Sequence, residues 1–311
     1  MSQSLPHQID AILDLFLLQK PRRTGSFIIT LFGDVISARG GDVWLSNIGK
    51  ILELFDMNFG LVRTTTTRLV ADGWLKRAHV GRNSFYSFSL QGQKTAENAA
   101  HKIYNLPMHD WAGCWQQVVF IGNNSERNKQ RLSVKKQLSA LGFASINSQI
   151  MIKPQYFEII ETSIIQEICI DENILISNDV VYKDQTAIKQ LANETWQLEV
   201  LNQEYIDFIK LYAPIYIALK NGEKITNQSA LMLRLLLIHQ YRKILLKDPY
   251  LPKQLHNDEW RGFETQVLVA DIYKIIAPLA DLALDNYGDN IELQKMKPVD
   301  KSNIARFETL T

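Results

Sequence analysis

The stretch from Asn58 to Leu90 constrains the fold of this chain more than any other, because its hydrophobic pattern changes period partway along. Up to Gly73 the apolar side chains recur at helical spacing, and beyond it they alternate as they do in strands. The alternating part reverses around Gly81-Arg82-Asn83-Ser84, which has the composition of a turn. The sequence therefore predicts a helix followed by a β-hairpin with a basic tip.

The predicted helix has two unlike faces. The face expected to pack carries Val62, Thr66, Leu69 and Gly73. The opposite face is small and hydroxylated, and its members, with an arginine at each border, are Gly60, Arg63, Thr64, Thr67, Arg68 and Ala71. Small side chains let a helix backbone approach base edges, while arginine and threonine reach bases or phosphates. The pattern predicts a DNA-recognition helix, with the hairpin as the wing of a winged helix-turn-helix.

Charge distinguishes this stretch from the rest of the chain. Residues 60–90 carry five Lys or Arg against one acidic residue, whereas the whole chain of 311 residues carries 34 Lys+Arg and 33 Asp+Glu. A basic patch on a balanced chain is typical of a surface that meets a polyanion. The side chains predicted to contact DNA are Arg63, Thr64, Thr67, Arg68, Lys76, Arg77, Arg82 and Asn83. Two alternatives stay open: the patch could be a solvated face of an enzyme domain, and Arg63 could form an ion pair within its own domain.

Three further helices are predicted upstream. His7–Leu18 has the pattern of a short amphipathic helix, and Thr24–Ile36 that of a mostly buried helix followed by a Gly-Gly turn. Ser46 is expected to cap a third helix that leads into the recognition helix. Helix, helix, turn, helix and hairpin is the order of elements in a winged helix.

These residues also carry a resemblance to a known family. The runs concerned are Gly25-Ser-Phe-Ile-Ile-Thr-Leu-Phe-Gly-Asp34, Arg39-Gly-Gly-Asp-Val-Trp-Leu45, Arg68-Leu-Val-Ala-Asp-Gly-Trp74, Val80-Gly-Arg-Asn-Ser-Phe-Tyr86, Trp115-Gln-Gln-Val-Val-Phe-Ile121 and His239-Gln-Tyr-Arg-Lys-Ile-Leu-Leu-Lys-Asp-Pro-Tyr-Leu-Pro252. Together they resemble the PaaX family, repressors of phenylacetic acid degradation operons. The resemblance implies a DNA-binding repressor whose effector is phenylacetyl-CoA rather than free phenylacetate.

The rest of the chain falls into further regions. Residues 91–110 are expected to be a polar connector, and residues 116–176 alternate strand and helix patterns, with a second helix around 155–165. This β-α-β-β-α-β order predicts a ferredoxin-like domain, and the family resemblance implies the same. From about Thr186 the pattern is helical, and Pro214 and Pro278 are each expected to kink or end a helix.

The predicted fold is therefore a multidomain α+β chain. Its parts are an N-terminal winged helix-turn-helix domain over 1–95, a middle ferredoxin-like α+β domain over 108–183, a C-terminal α-helical domain over 184–288 and a tail over 289–311. The helical domain is assigned to effector binding and dimerisation. The tail has little periodicity, so it is expected to be held loosely or by a partner subunit.

Sequence patterns of catalysis do not occur. There is no Walker loop, dinucleotide fingerprint, hydrolase elbow or zinc pattern, and the six histidines are scattered, so no catalytic group, metal or cofactor is expected. Cys114 and Cys169 cannot build a disulfide framework, which fits a reducing compartment. No apolar run reaches the roughly 18 residues that a membrane span requires. A cytoplasmic protein without a membrane anchor is expected.

Two functions are compared. The first is a transcriptional repressor that binds double-stranded operator DNA as a homodimer and is released by an aryl-CoA effector. The alternative is an enzyme that acts on nucleic acid or on a CoA thioester, with the winged helix as a targeting module. An aryl-CoA needs aromatic and cationic side chains, and the candidates are Arg234, Tyr241, Arg242 and Trp260, followed by Arg261, Trp111, Trp115 and Trp196. Their pocket is expected between the middle and C-terminal domains.

Overall fold

The computed structural model describes residues 4–19, 24–105, 111–122, 128–155, 174–287 and 306–307. Helices predominate and the strands form two small sheets, which confirms the mixed α+β class. Within these ranges no helix is long and apolar enough to cross a membrane. The chain divides into two compact units. The first comprises Met1–Leu106, Glu204–Leu246 and Arg261–Thr311, and the second comprises Pro107–Gln203 and Lys247–Trp260.

The N-terminal part of the first unit combines short helices with a small sheet. Its elements are α1 (Leu5–Leu18), α2 (Thr24–Leu31), a π-helical turn (Phe32–Ile36), a 3-10 turn (Ser37–Arg39), β1 (Asp42–Trp44), α3 (Leu45–Glu53), α4 (Phe59–Ala71), β2 (Leu75–Val80), β3 (Asn83–Phe88) and α5 (Leu90–Tyr104). The strands pair antiparallel in the order β1-β3-β2, so β2 is an edge strand. Phe27 lies at the centre of an aromatic core, with its ring 4.8 Å from that of Phe16 and 4.7 Å from that of Phe55.

The predicted cap at Ser46 is wrong. The N-cap of α3 is Trp44, two residues earlier, and it makes no side-chain capping bond. Trp44 is also the last residue of β1, where it pairs with Phe85. Because the strand leads directly into the helix, pairing in the sheet rather than a local polar signal sets where α3 starts.

The connector predicted over residues 91–110 is wrong as well, because α5 occupies most of it. The side chain of Ser89 caps this helix by accepting a hydrogen bond from the Gly92 N–H at 2.9 Å. The polar residues that suggested a connector lie on its solvent side, while Ile103 and Tyr104 at its end are buried. The stretch is polar on average, and that composition, rather than its periodicity, suggested a connector.

The second unit is built on a four-stranded antiparallel sheet. Its elements are β4 (Cys114–Phe120), α6 (Asn128–Ala140), β5 (Ala144–Ser145), β6 (Ile150–Pro154), β7 (Ile174–Val181) and α7 (Gln185–Trp196). The strand order is β5-β6-β4-β7. Phe120, Leu138 and Met151 belong to one buried cluster of this unit, and Trp111 and Trp115 to another. From residue 156 on, the predicted second helix lies outside the described residues, as does Cys169.

Long helices complete the chain: α8 (Leu198–Lys220), α9 (Asn227–Leu245) and α10 (Gly262–Leu284). α9 and α10 pack along each other in the first unit. Pro214 lies inside α8 and Pro278 inside α10, so neither ends its helix. A proline in a helix interior costs about 3 kcal/mol, and burial of neighbours such as Ile215 and Ile276, both fully buried, offsets that cost.

Candidate nucleic-acid interface

The sequence of α4 fixes both its start and its buried side. Asn58 caps the helix, its side chain accepting a hydrogen bond from the Leu61 N–H at 2.9 Å. Val62, Thr66 and Leu69 are buried, as the helical spacing predicts, and this side packs against α2 and α3. One face of α4 is therefore committed to the core, which leaves the other to solvent.

Four predicted DNA-contacting residues share that solvent side, which we call the α4 outward face: Arg63, Thr64, Thr67 and Arg68. All four are exposed, and together with Gly60 and Ala71 they line one shallow depression. Small residues at the floor and long cations at the edges give a surface that the backbone of a polyanion can approach closely. The structure thus brings together the helical half of the predicted site.

The two threonine hydroxyls of this face already donate within the helix. Thr64 Oγ1 donates to the Gly60 carbonyl and Thr67 Oγ1 to the Arg63 carbonyl, both at 2.9 Å. A hydroxyl that donates in this way keeps its lone pairs as acceptors. These threonines are therefore suited to accept from base amino groups or to contact a thymine methyl group.

The two arginines of the face are unpaired. Among the residues that the structure describes, the guanidinium group of neither Arg63 nor Arg68 forms a hydrogen bond or an ion pair. The alternative that Arg63 is held in an ion pair within its own domain is therefore not observed there. Both guanidinium groups keep all their N–H donors free for an external acceptor.

The predicted DNA-contacting residues of the hairpin differ in position and exposure. Val80 pairs with Asn83, so Gly81 and Arg82 alone form the turn, and Gly81 has φ +60°, which glycine adopts readily. Arg82 is exposed at this tip and Asn83 is half-buried. Lys76 and Arg77 are exposed on the edge strand β2, where charged side chains also protect a sheet edge from pairing with another chain.

Lys76 and Arg77 do not line the depression on the α4 outward face. They line a larger groove of about 940 Å³, which we call the β2 groove. Other residues of this groove are Gly33, Gly40, Gly41, Asp42, Gln93, Ala96, Glu97, Ala100 and Arg306. The carboxylates of Asp42 and Glu97 therefore line the β2 groove together with its cations, whereas no acidic residue that the structure describes lines the depression on the α4 outward face.

A cluster of buried charges, which the sequence did not reveal, lies elsewhere in the first unit. Asp34, in the π-helical turn, accepts hydrogen bonds from Arg234 at 2.7 Å, Arg306 at 2.9 Å, Tyr104 at 2.6 Å and Tyr273 at 2.9 Å. Burial alone would raise the pKa of Asp34, but the two guanidinium groups outweigh it and lower that pKa. We call these five residues the Asp34 network.

The predicted effector residues do not form one cluster. Arg234 belongs to the Asp34 network and also pairs with Asp281 at 2.9 Å. Tyr241 is buried, with its ring 6.0 Å from that of Phe208. Trp260 belongs to the second unit, where it stacks on His256 at 4.2 Å.

Arg242 differs from these three. Its Nη1 donates to the Ser26 carbonyl at 3.1 Å and to Thr30 Oγ1 at 2.7 Å, and its side chain lines a cavity. The further aromatic candidates for effector binding, Trp111, Trp115 and Trp196, pack in the second unit. The rings of Trp111 and Trp115 are 5.4 Å apart. Arg261 is an exposed residue just before α10.

Comparisons with known proteins agree with the sequence resemblance. Residues 23–92 match the family model described as PaaX-like protein, and residues 196–286 match that of the PaaX-like protein C-terminal domain. The chain is 33% identical over 268 residues to the "Transcriptional repressor PaaX" of Escherichia coli (strain K12), covering 85% of this chain and 84% of the relative. Among solved structures, the uncharacterized protein Rv0674 from Mycobacterium tuberculosis aligns with a TM-score of 0.49 at 15% identity, over 76% of this chain and 89% of that one.

Proposed function

The chain belongs to the PaaX family, and from that premise we propose that it is a transcriptional repressor that binds operator DNA of phenylacetate catabolism genes through the α4 outward face. The observation that carries the proposal is the pair of exposed, unpaired arginines beside small and hydroxylated residues on a helix whose other side is buried. Phosphates and guanine edges both accept from such groups. No catalytic family is indicated by the relatives.

The arrangement around α4 supports a winged helix-turn-helix. α3 and α4 follow each other through a short turn, and the β2–β3 hairpin follows α4, as in that motif. In this proposal α4 enters the major groove, and Arg82 and Asn83 contact the backbone or the minor groove. Lys76 and Arg77 act as a second layer of phosphate contacts from the edge strand.

The other parts of the chain receive proposals of their own. The strand order β5-β6-β4-β7, with α6 between β4 and β5, supports a ferredoxin-like middle domain. The three-domain division predicted from the sequence stays a prediction.

A homodimer is proposed because one small winged helix buries little surface, whereas two copies can meet half-sites about 34–36 Å apart. The helical domain and the middle sheet are the proposed interfaces. Light scattering should give a dimer, and a monomer at micromolar concentration, with one protein per operator, would exclude this part.

The effector proposal follows from the family. An aryl-CoA, with phenylacetyl-CoA as the first candidate, is proposed to bind and release the operator. The ligand can shift binding only by its differential affinity for the two forms, and a hundredfold loss of operator affinity needs about 2.7 kcal/mol of coupling. By reciprocity, operator DNA should weaken effector binding by the same factor. Equal phenylacetyl-CoA affinity for free and operator-bound protein, measured by calorimetry, would exclude this mechanism.

The direct test is DNA retardation. The protein should retard a fragment from upstream of a phenylacetate catabolic operon at concentrations that leave a scrambled fragment of equal length free, at a stated salt concentration. Phenylacetyl-CoA should release the complex, and phenylacetate or CoA at the same concentration should not. Equal retardation of both fragments would refute sequence-specific repression.

The same experiment separates the repressor from the enzyme alternative. After release of the operator, the ligand should be recovered chemically unchanged, because a repressor only binds it. Hydrolysed or otherwise altered phenylacetyl-CoA would favour an enzyme acting on CoA thioesters.

A further inference from the structure

A cavity of about 280 Å³ lies inside the first unit, between α2, α5 and α9. Its walls are mainly apolar, and the apolar lining residues are Ile29, Trp74, Ala96, Ala99, Ala100, Ile103, Ile238 and Leu246. An apolar cavity of about 150 Å³ is enough to bind benzene. This cavity therefore has room for an aromatic ring carrying a short acyl chain.

One wall of the cavity carries the half-buried guanidinium of Arg242. This group donates to a carbonyl and to a hydroxyl, and among the described residues no carboxylate forms an ion pair with it. By contrast, the buried Arg234 and the half-buried Arg306 each pair with Asp34. Burial lowers the pKa of Arg242, whereas the pKa of Arg234 is raised well above its usual value. Arg242 is thus a cation that offers N–H donors to an oxygen entering the cavity.

The cavity adjoins the β2 groove. Gly33, Ala96 and Ala100 line both, so the two spaces meet at residues with small side chains. The β2 groove brings the cations Lys76 and Arg77 to the far side of that row. A mainly apolar space with the guanidinium of Arg242 in its wall, next to a groove that carries Lys76 and Arg77, matches a ligand with an apolar acyl end and a phosphate-bearing end.

We propose that the cavity takes the aryl-acyl group of the effector, with the carbonyl oxygen accepting from Arg242. The phosphate-bearing part of CoA then passes over Gly33, Ala96 and Ala100 into the β2 groove, where Lys76 and Arg77 bind its phosphates. This inference rests on the proposed function, which supplies an aryl-CoA as effector. It places the whole effector site within the first unit.

The location also provides a route to the DNA-binding surface. Trp74, in the cavity wall, connects the end of α4 to β2. The start of α5 is pressed against it, since a Cβ on Gly92 would lie 2.1 Å from the Trp74 carbonyl oxygen. Effector phosphates at Lys76 and Arg77 would occupy cations that the operator also uses, so effector and operator bind competitively at β2.

The test is a variant that fills the cavity without touching the groove. Ala99 lines the cavity only, is partly exposed and lies on a helix, so Ala99→Leu adds volume inside the cavity at little cost to folding. Ala187→Leu, at an exposed position of α7, is the matched control. Thr95→Leu, also confined to the cavity, replaces Ala99→Leu if thermal melting shows that the latter does not fold.

Calorimetry with phenylacetyl-CoA should show affinity reduced at least about tenfold in Ala99→Leu, because the ring and the new side chain compete for one space. Operator affinity without ligand should stay within about twofold of wild type, and weak binding of free CoA should be unchanged. The control should match wild type throughout. Release of Ala99→Leu from the operator at the wild-type concentration of phenylacetyl-CoA would overturn this inference alone. A wild-type complex that phenylacetyl-CoA does not release would overturn the effector part of the proposed function and this inference with it.

Discussion

The α4 outward face and the Asp34 network use the same residue type in opposite ways. Arg63 and Arg68 are exposed and form no ion pair among the described residues. Arg234, which is buried, and Arg306, which is half-buried, both pair with the buried carboxylate of Asp34. An exposed guanidinium costs little to leave unpaired, whereas a buried one destabilises the fold unless it is compensated. Pairing therefore separates the arginines that hold the first unit together from those available to DNA.

The largest expected effect comes from disrupting the Asp34 network. Asp34→Asn removes the charge that compensates Arg234 and Arg306, and the cost of uncompensated buried charge is about 3–5 kcal/mol in the free energy of unfolding. Urea denaturation measures this loss. The matched control is Asp207→Asn, which breaks an exposed ion pair with Lys210 at 3.5 Å and should cost under about 1 kcal/mol. Equal losses in both variants would show that the Asp34 network does not hold the unit together.

A smaller effect is expected from a substitution on the α4 outward face. Arg68→Ala should leave the free energy of unfolding within about 0.5 kcal/mol of wild type. Operator binding should weaken by about 1–3 kcal/mol, and the base preference at one operator position should relax, because a guanidinium that reads guanine is lost. Binding to a panel of single-base operator variants measures both. A loss of stability with intact affinity would place Arg68 with the structural arginines instead.

How far the sequence could predict these two regions depends on the distance between interacting residues. α4 and the hairpin were predictable because capping, periodicity and turn signals act within a few positions. Asp34, however, meets Tyr104 at a separation of 70 residues, Arg234 at 200 and Arg306 at 272. No local pattern encodes such contacts, and for this reason Arg234 was predicted as an effector residue rather than as part of a buried network.

The two missed features have different origins. The sequence of α5 looked like a connector because it is polar on average, although its Ser89 cap and the helical spacing of its apolar residues are local signals of a helix. Arg242 was predicted to bind effector from its place on a helix beside an aromatic residue, but the cavity it lines is formed by distant segments. Positions on one helix face are readable from sequence, and cavities are not.

The buried His239 of the first unit provides a test of the buried residues by pH. His239 is buried between Phe16 and Phe27, with Thr30 at 3.1 Å, and burial, aided by Arg242 and Lys243, lowers its pKa to about 3. An unfolded histidine has a pKa of about 6.5, so between these two values only the unfolded state takes up the proton. As the pH decreases below about 6.5, the free energy of unfolding should therefore decrease, and this residue should contribute up to about 1.4 kcal/mol per pH unit.

His239→Gln tests this assignment, because it keeps a polar partner for Thr30 but cannot titrate. Unfolding measured at several values between pH 7 and pH 5 should show a shallower slope in the variant than in wild type. His256, whose pKa burial lowers to about 4, contributes a slope of the same sign to both proteins. Parallel profiles would mean that His239 does not stay neutral in the fold.

The smallest effect is expected at the hairpin tip. Arg82→Ala should weaken binding to operator and to unrelated DNA alike, because a phosphate contact carries no sequence information. The dependence of log affinity on log salt should become shallower by about one unit. A loss confined to the operator would assign Arg82 to base recognition instead.

The central claim, that the α4 outward face binds the operator, is tested most directly by removing both of its arginines. Fluorescence anisotropy with labelled operator should show that Arg63→Ala with Arg68→Ala lowers affinity by about a hundredfold or more, since two contacts of about 1–3 kcal/mol each are lost. The control is Lys183→Ala with Lys189→Ala, two exposed cations of the second unit whose loss changes the net charge equally. That control should stay within about threefold of wild type, the small change expected of surface positions. Wild-type affinity in the arginine variant, at the same salt concentration and with the protein folded, would contradict the assignment of this face to DNA.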